Sequence, residues 1–401
     1  MNLKTIVRLF LSCLCAGSLA VAFMASSQSR PVDPDLIAHE WGTFTSIAGN
    51  DGRAIEWAPL TGVWPHSPEA ATANDLPSFV EHFGYAGFKV GLRGTVRMET
   101  PVIYLHSPRN VDVSVRVSLS RGLITEWYPH ASHVSPAGNP PNRNLTKSNE
   151  EGSISWDAVH VQPGLAPDFA RENADTHYYA ARATSASPVS VETSKGEQRE
   201  RFLFYRGVSA FSVPLSASIA SDGNVLIKNL AKEDVPNLIL FERRGEKMGY
   251  RVFNDLRDQT SLEPPELTAN IESLYADLEQ MLEARGLFQD EAHAMIQTWQ
   301  NSWFEEGSRL FYIVPRSFVD AILPLTINPA PGRTVRVFVG RIELVTPATQ
   351  NALEAALAAH NHAAVTRYYR FMEPFLKIIG EKDPAKGKHL TELLNQPCEE
   401  E

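Results

Sequence analysis

Between residues 111 and 117 the chain reads Val111-Asp112-Val113-Ser114-Val115-Arg116-Val117, with valine at every odd position and a polar residue between each pair. A side-chain period of two marks a strand with one buried face. Four valines in register need a second layer to cover them. Shorter apolar runs at Val102 to Leu105, Leu123 to Tyr128, Phe202 to Tyr205 and Leu238 to Phe241 repeat the signal. Turn-forming stretches, Ser107-Pro108-Arg109-Asn110 and Ser221-Asp222-Gly223-Asn224, separate several of them. Many short strands at this spacing predict a β-sandwich over residues 32–262. Two segments break the pattern: a Pro/Asn-rich loop at 129–153, and 185–200, rich in Ser and charge, which reads as a second loop.

From 263 to 401 the pattern predicts an α+β part, so the expected fold is mainly β with an α+β C-terminal region. Ile271, Leu274, Tyr275, Leu278, Met281 and Leu282 recur at helical spacing, as do Ala292, Met295, Ile296, Trp299 and Trp303. These define a helical hairpin over 268–306, with Gly286 as the residue that ends its first helix. A short β segment follows, with strands at Arg309 to Val314 and Val335 to Val345. In the second strand the apolar parity changes at Gly340, which predicts a β-bulge there. Thr346-Pro347 is an N-cap followed by a first-turn proline. It opens C-terminal helices over 347–394, with a weak point at His360-Asn361-His362.

The N-terminus reads as an export signal. Lys4 and Arg8 precede seventeen uncharged residues, Leu9 to Ala25, and Ala20-Val21-Ala22 fits the small-x-small cleavage pattern. Residues 1–22 are therefore expected to be removed, giving a periplasmic or secreted protein. The alternative is a retained anchor, for which seventeen residues is short. No other stretch is long enough to span a membrane. Loss of Lys4 and Arg8 takes the formal charge from -10 to -12, and so acidic a chain lacks the basic footprint of a nucleic-acid binder. Of the three cysteines, Cys13 and Cys15 leave with the signal and Cys398 remains in the acidic tail. No internal disulfide, cysteine-based zinc site or buried catalytic thiol is then expected.

Four segments carry a resemblance: His39-Glu40-Trp41-Gly42-Thr43-Phe44-Thr45-Ser46, Met98-Glu99-Thr100-Pro101-Val102-Ile103-Tyr104, Gly122-Leu123-Ile124-Thr125-Glu126-Trp127-Tyr128-Pro129 and Ser302-Trp303-Phe304-Glu305-Glu306-Gly307. Through them the chain resembles a family of uncharacterised secreted bacterial proteins. The resemblance implies secretion and supplies no activity or catalytic residues.

Two constellations could carry chemistry. His39, His130 and His133, with Glu40 beside them, are candidate ligands for a divalent metal, since imidazole with carboxylate suits zinc or another transition ion. The competing reading has His39 and Glu40 bonded locally at a strand start and His130 and His133 solvated in a loop. Glutamates also adjoin tryptophans at Glu40-Trp41, Glu56-Trp57 and Glu126-Trp127, and again in Trp303-Phe304-Glu305-Glu306. A glycosidase needs two carboxyl groups about 5 Å or roughly 6.5–9.5 Å apart. Strand neighbours point to opposite faces, so no single Glu-Trp pair makes such a site. Glu305 and Glu306, at a helix C-terminus, are expected to pair with an arginine such as Arg309 or Arg316. No nucleophile elbow, dinucleotide fingerprint or P-loop is present, so no nucleotide cofactor is expected. The sequence thus leads to a non-catalytic extracytoplasmic protein that binds a ligand or an envelope component, its site among His39, Glu40, Glu126 and Trp127. The alternative is a secreted hydrolase, metal-dependent or glycosidic. Convergence of these side chains in one cleft distinguishes the two.

Overall fold

The computed structural model describes residues 31–60, 76–84, 91–137, 143–166, 168–172 and 176–395. The expected export signal, part of the 129–153 segment and Cys398 lie outside them. Strand predominates, at 41% against 25% helix, with helices gathered toward the C-terminus.

The centre is a nine-stranded sheet. In spatial order its strands are β14 (Lys247–Phe253), β13 (Leu238–Arg244), β16 (Gly307–Ile313), β18 (Ala330–Leu344), β1 (Val32–Ile47), β3 (Val96–His106), β10 (Leu203–Ser209), β5 (Gly122–Tyr128) and β2 (Glu81–His82). Strands β1 and β18 run parallel and the other neighbours antiparallel. The expected boundary at 262/263 therefore runs through one sheet, because β16 and β18 lie between β13 and β1. Both are largely buried on two faces, which requires layers above and below.

A six-stranded sheet combines β17 (Leu325–Asn328), β4 (Val111–Leu119), β7 (Gly152–Val161), β8 (Val189–Thr193) and β9 (Gly196–Glu200), with β6 (His133–Ser135) on β7. A three-stranded sheet holds β11 (Leu215–Ile219), β12 (Val225–Asn229) and β15 (Gln259–Leu262). Val113, Val115 and Val117 of β4 are buried as their alternation requires. They share a core with Ala38, Phe44, Ile103 and Phe338 of the central sheet and with Leu215 and Ile227. The opposite face of the central sheet, with Trp41, Val102, Tyr104, Phe311 and Val337, packs on α1 (Ile271–Ala284) and α2 (Gln289–Trp303). Helix α1 starts at Asn270, whose side chain accepts from Ser273 N, and Gly286 follows its end at φ +105°. After the short α3 (Arg316–Ile322) come α4 (Pro347–Ala358), α5 (His362–Thr366), α6 (Met372–Lys382) and α7 (Pro384–Leu394). These C-terminal helices cover Ile47, Trp57 and Val345 at one end of the sheet. Thr346 caps α4, and the expected weak point is a real break, with His360 at φ +47°.

Two expectations need correction. Residues 185–200 contain the β8–β9 hairpin, turned through Gly196 at φ +111°. Val189 and Val191 carried its alternation, and the surrounding charge masked it. There is also no bulge at Gly340: β18 stays in register with β16 from Ile313↔Val339 to Ser308↔Leu344. The parity changes because β18 is buried on both faces, with Phe338 and Ile342 toward one core and Val337 and Val339 toward the other. The register shift that matters lies in β3. Thr43 pairs with Glu99 but Trp41 with Val102, so the extra residue falls at Thr100-Pro101, where proline has no N–H to offer a ladder.

Gly340 serves a different need. A Cβ there would overlap the ring of Tyr312, so Gly340→Ala is expected to cost about 1–3 kcal/mol by overpacking. Urea unfolding checks this; an unchanged midpoint would mean that the ring moves aside freely.

Candidate functional site

His39 and Glu40 are both fully buried, and the pleat of β1 sends them to opposite sides. Glu40 lies on the face away from α1 and α2. Its carboxylate accepts from Arg336 Nε at 2.5 Å and from Tyr205 Oη at 2.5 Å. Arg336 also donates to Asp320 at 2.8 Å and to the Leu323 carbonyl at 2.7 Å. Burial lowers the affinity of this guanidinium for its proton, but Glu40, Tyr205 and Asp320 more than restore it. Burial, with Glu40 close by, drives the Tyr205 hydroxyl well above its ordinary range. Glu40 is thus the anion of a closed ion pair.

The other sequence candidates form separate groups. Trp127 Nε1 and His130 Nδ1 both bond the Glu81 carboxylate, at 2.9 and 2.8 Å. Glu126, almost fully buried, bonds Thr125 and lies opposite Arg206 of β10 and His82 of β2. His133 pairs with Asp157 at 3.2 Å, both exposed. The proposed metal set His39, His130 and His133 is not brought together: among the described residues, the group of three possible ligands that includes His39 is His39, His106 and Glu291.

That group is assembled by three elements. On β1 and β3, His39 pairs with Tyr104 and Ile37 with His106, so the two histidines are diagonal neighbours on one face. The first turn of α2 crosses that face and contributes Glu291. Its Oε2 accepts from the Phe288 backbone N–H at 2.9 Å, as an N3 glutamate does at a helix start. The same oxygen lies 2.6 Å from His39 Nδ1, and Oε1 lies 2.9 Å from His106 Nε2. The Phe288 ring packs against both imidazoles, with centroids 4.5 and 5.0 Å away. Burial pushes the Glu291 carboxyl up, but the bonds from His106, His39 and Phe288 prevail and hold it below the usual carboxylate range. An ionised carboxylate only accepts, so Nδ1 of His39 and Nε2 of His106 carry the protons. His39 Nε2 is then buried with no hydrogen-bond partner.

His106 also reaches a cleft of about 360 Å³ whose walls include Asp35, Ser107, Ser185, Ser187 and Arg201. Arg201 NH1 donates to the Ala186 carbonyl at 2.8 Å, while its Nε is buried without a partner. Burial lowers the proton affinity of this guanidinium, partly offset by Glu200. A larger groove, about 980 Å³, lies between α6 and α7 and presents Lys377, Glu381, Lys388 and Glu392. None of these belongs to a metal-ligating group.

A second buried polar assembly joins segments singled out in the sequence. Glu99 pairs with Arg97 at 3.1 Å and with Arg370, and accepts from Thr45 Oγ1 at 2.7 Å. Arg341 pairs with Glu343 at 2.5 Å and Glu305 at 2.7 Å, and Arg309 with Glu343 at 3.0 Å. Ser302 Oγ accepts from both Arg341 and Arg370. Of the expected partners of Glu305 and Glu306, Arg309 bonds their backbone carbonyls instead. Arg316 pairs with Asp320. Glu306 takes Arg367 and Tyr368.

No protein-family model matches the chain, and no curated protein is detectably similar to it. Sequence reasoning missed His106 and Glu291. Both carried local signals: His106 ends a strand before the Ser107-Pro108 turn, and Glu291 stands in the acidic first turn of a helix.

Proposed function

We propose that the chain is an exported, non-catalytic binding protein that holds a small anionic ligand in the cleft beside His106. The observation that carries this reading is Arg201, a half-buried guanidinium in the wall of a concave, largely polar cleft. A planar, permanently charged donor in that position suits a carboxylate or phosphate. His106 stands in the same cleft with its ring fixed by Glu291, and the exposed Asp35 offers an acceptor to a donor elsewhere on the ligand. The charged start at Lys4 and Arg8 followed by an uncharged run, read as an export signal, supports placement outside the cytoplasm. The hydrolase alternative required His39, Glu40, Glu126, His130 and His133 to converge. Glu40 is closed off by Arg336 and Tyr205, and His130 and His133 bond different acids.

The test is calorimetric titration of the mature protein with phosphate, sulfate, acetate, succinate and glutamate. At least one is expected to bind, and Arg201→Ala is expected to weaken it roughly 10- to 100-fold, the cost of a hydrogen bond to a charged group. Failure of every anion, or equal binding by the variant, would remove the reading. Intact mass of protein recovered from the cell envelope or medium tests export.

A further inference from the structure

We propose that His39, His106 and Glu291 are the protein ligands of a divalent transition-metal ion. This inference does not depend on the anion reading. One atom from each residue lies within 4.8 Å of the others, although the residues are 67 and 185 positions apart along the chain. Two imidazoles and one carboxylate form a set that suits zinc, iron or manganese rather than calcium or magnesium, which take oxygen ligands.

The capping role of Glu291 explains its bond to Phe288 N–H. It does not explain why two histidines from two strands converge on the same carboxylate. A cation between the rings and the carboxylate would take His39 Nδ1, His106 Nε2 and a Glu291 oxygen as its ligands, displacing the protons that the two rings share with Glu291.

Access favours an ion over a sealed polar cluster. His39 and Glu291 are fully buried, but His106 keeps 14% of its side chain exposed and lines the cleft. Three protein ligands leave at least one coordination position for water or a bound anion. The single carboxylate leaves a divalent ion with net positive charge, which would draw an anion into the cleft already furnished with Arg201.

The experiment uses mature protein purified without a histidine tag, stripped with chelator and titrated with Zn²⁺ by calorimetry and with Co²⁺ by visible absorption. One equivalent per chain is expected, with cobalt d–d bands. His106→Ala is expected to weaken Zn²⁺ binding about 100-fold or more and to abolish the bands, since even loss of an outer-shell partner costs about 10–100-fold. Glu291→Gln should do the same. Because it also alters the start of α2, the half-buried His106 variant, checked for a parent-like circular dichroism spectrum, decides the matter. Substoichiometric binding by the parent, or equal binding by His106→Ala, would overturn the site. Metal binding without anion binding would sustain the centre and remove the cleft reading. Anion binding by stripped protein that takes up no metal would do the reverse.

Discussion

Replacing Arg341 with methionine is expected to destabilise the protein by about 3–5 kcal/mol, the range for removing one partner of a buried ion pair. Arg341 is completely buried and spans three acceptors, Glu343, Glu305 and Ser302. Its guanidinium also lies 5.3 Å from the Phe371 ring. Methionine would fill much of the volume but leave Glu343 and Glu305 with Arg309 as the main nearby cation. Burial already pushes the Glu305 carboxyl up despite Arg341 and Arg309, so losing one of them leaves a charge the site is poorly built to hold. The measurement is urea unfolding of the parent, Arg341→Met, Glu305→Gln and the double variant. A neutral Glu305 side chain should recover part of the loss, giving a coupling term well above the additivity expected of independent sites. Because the network is inside, added salt should change the effect little. If Arg341→Met unfolds at the parent's midpoint, these ion pairs contribute nothing to holding the C-terminal helices on the sheet.

That network shows where sequence reading succeeds and where it stops. The valine alternation of β4 is a local property and was legible, as were the apolar stripe of α1 and the cap at Thr346-Pro347. Gly340 misled because a parity change has two causes, a bulge or burial on both faces, and only neighbouring layers distinguish them. The true register shift was foreshadowed by Pro101, a residue that β-ladders tolerate poorly. The division at 262/263 runs through one sheet because β18 pairs with β1 across nearly 300 residues of sequence, and composition carries no trace of that pairing. The site was half legible for the same reason. His39 could be chosen from its chemistry. Choosing His106 required the β1–β3 register, and choosing Glu291 required knowing which helix lies over that face. His130 and His133 are sequence neighbours of a suitable type, but Glu81 and Asp157 take them in different directions.

The second large effect is expected at the hairpin that carries Glu291. Trp303→Ala should cost about 3–5 kcal/mol and Leu278→Ala about 2–5 kcal/mol, since both truncate buried side chains in a packed core. Trp303 is wholly buried at the end of α2, with its ring 5.5 Å from Phe311 of β16 and 6.1 Å from Phe304. Its backbone carbonyl also receives Arg309. Leu278 is 2% exposed in the middle of α1 and belongs to the same core. Thermal and urea unfolding measure both losses, and midpoints equal to the parent's would mean that the hairpin does not pack on the central sheet as described. The position of Trp303 adds a sharper expectation. It stands twelve residues from Glu291 on one helix, roughly 18 Å at the α-helical rise. Below its unfolding transition, Trp303→Ala should therefore retain the metal and anion affinities of the parent while His106→Ala loses the first. The two variants would then separate the side chains that hold the helix down from those that use what it carries. If Trp303→Ala remains folded yet loses metal binding, α2 does not behave as a rigid bar, and the position of Glu291 depends on packing along its whole length.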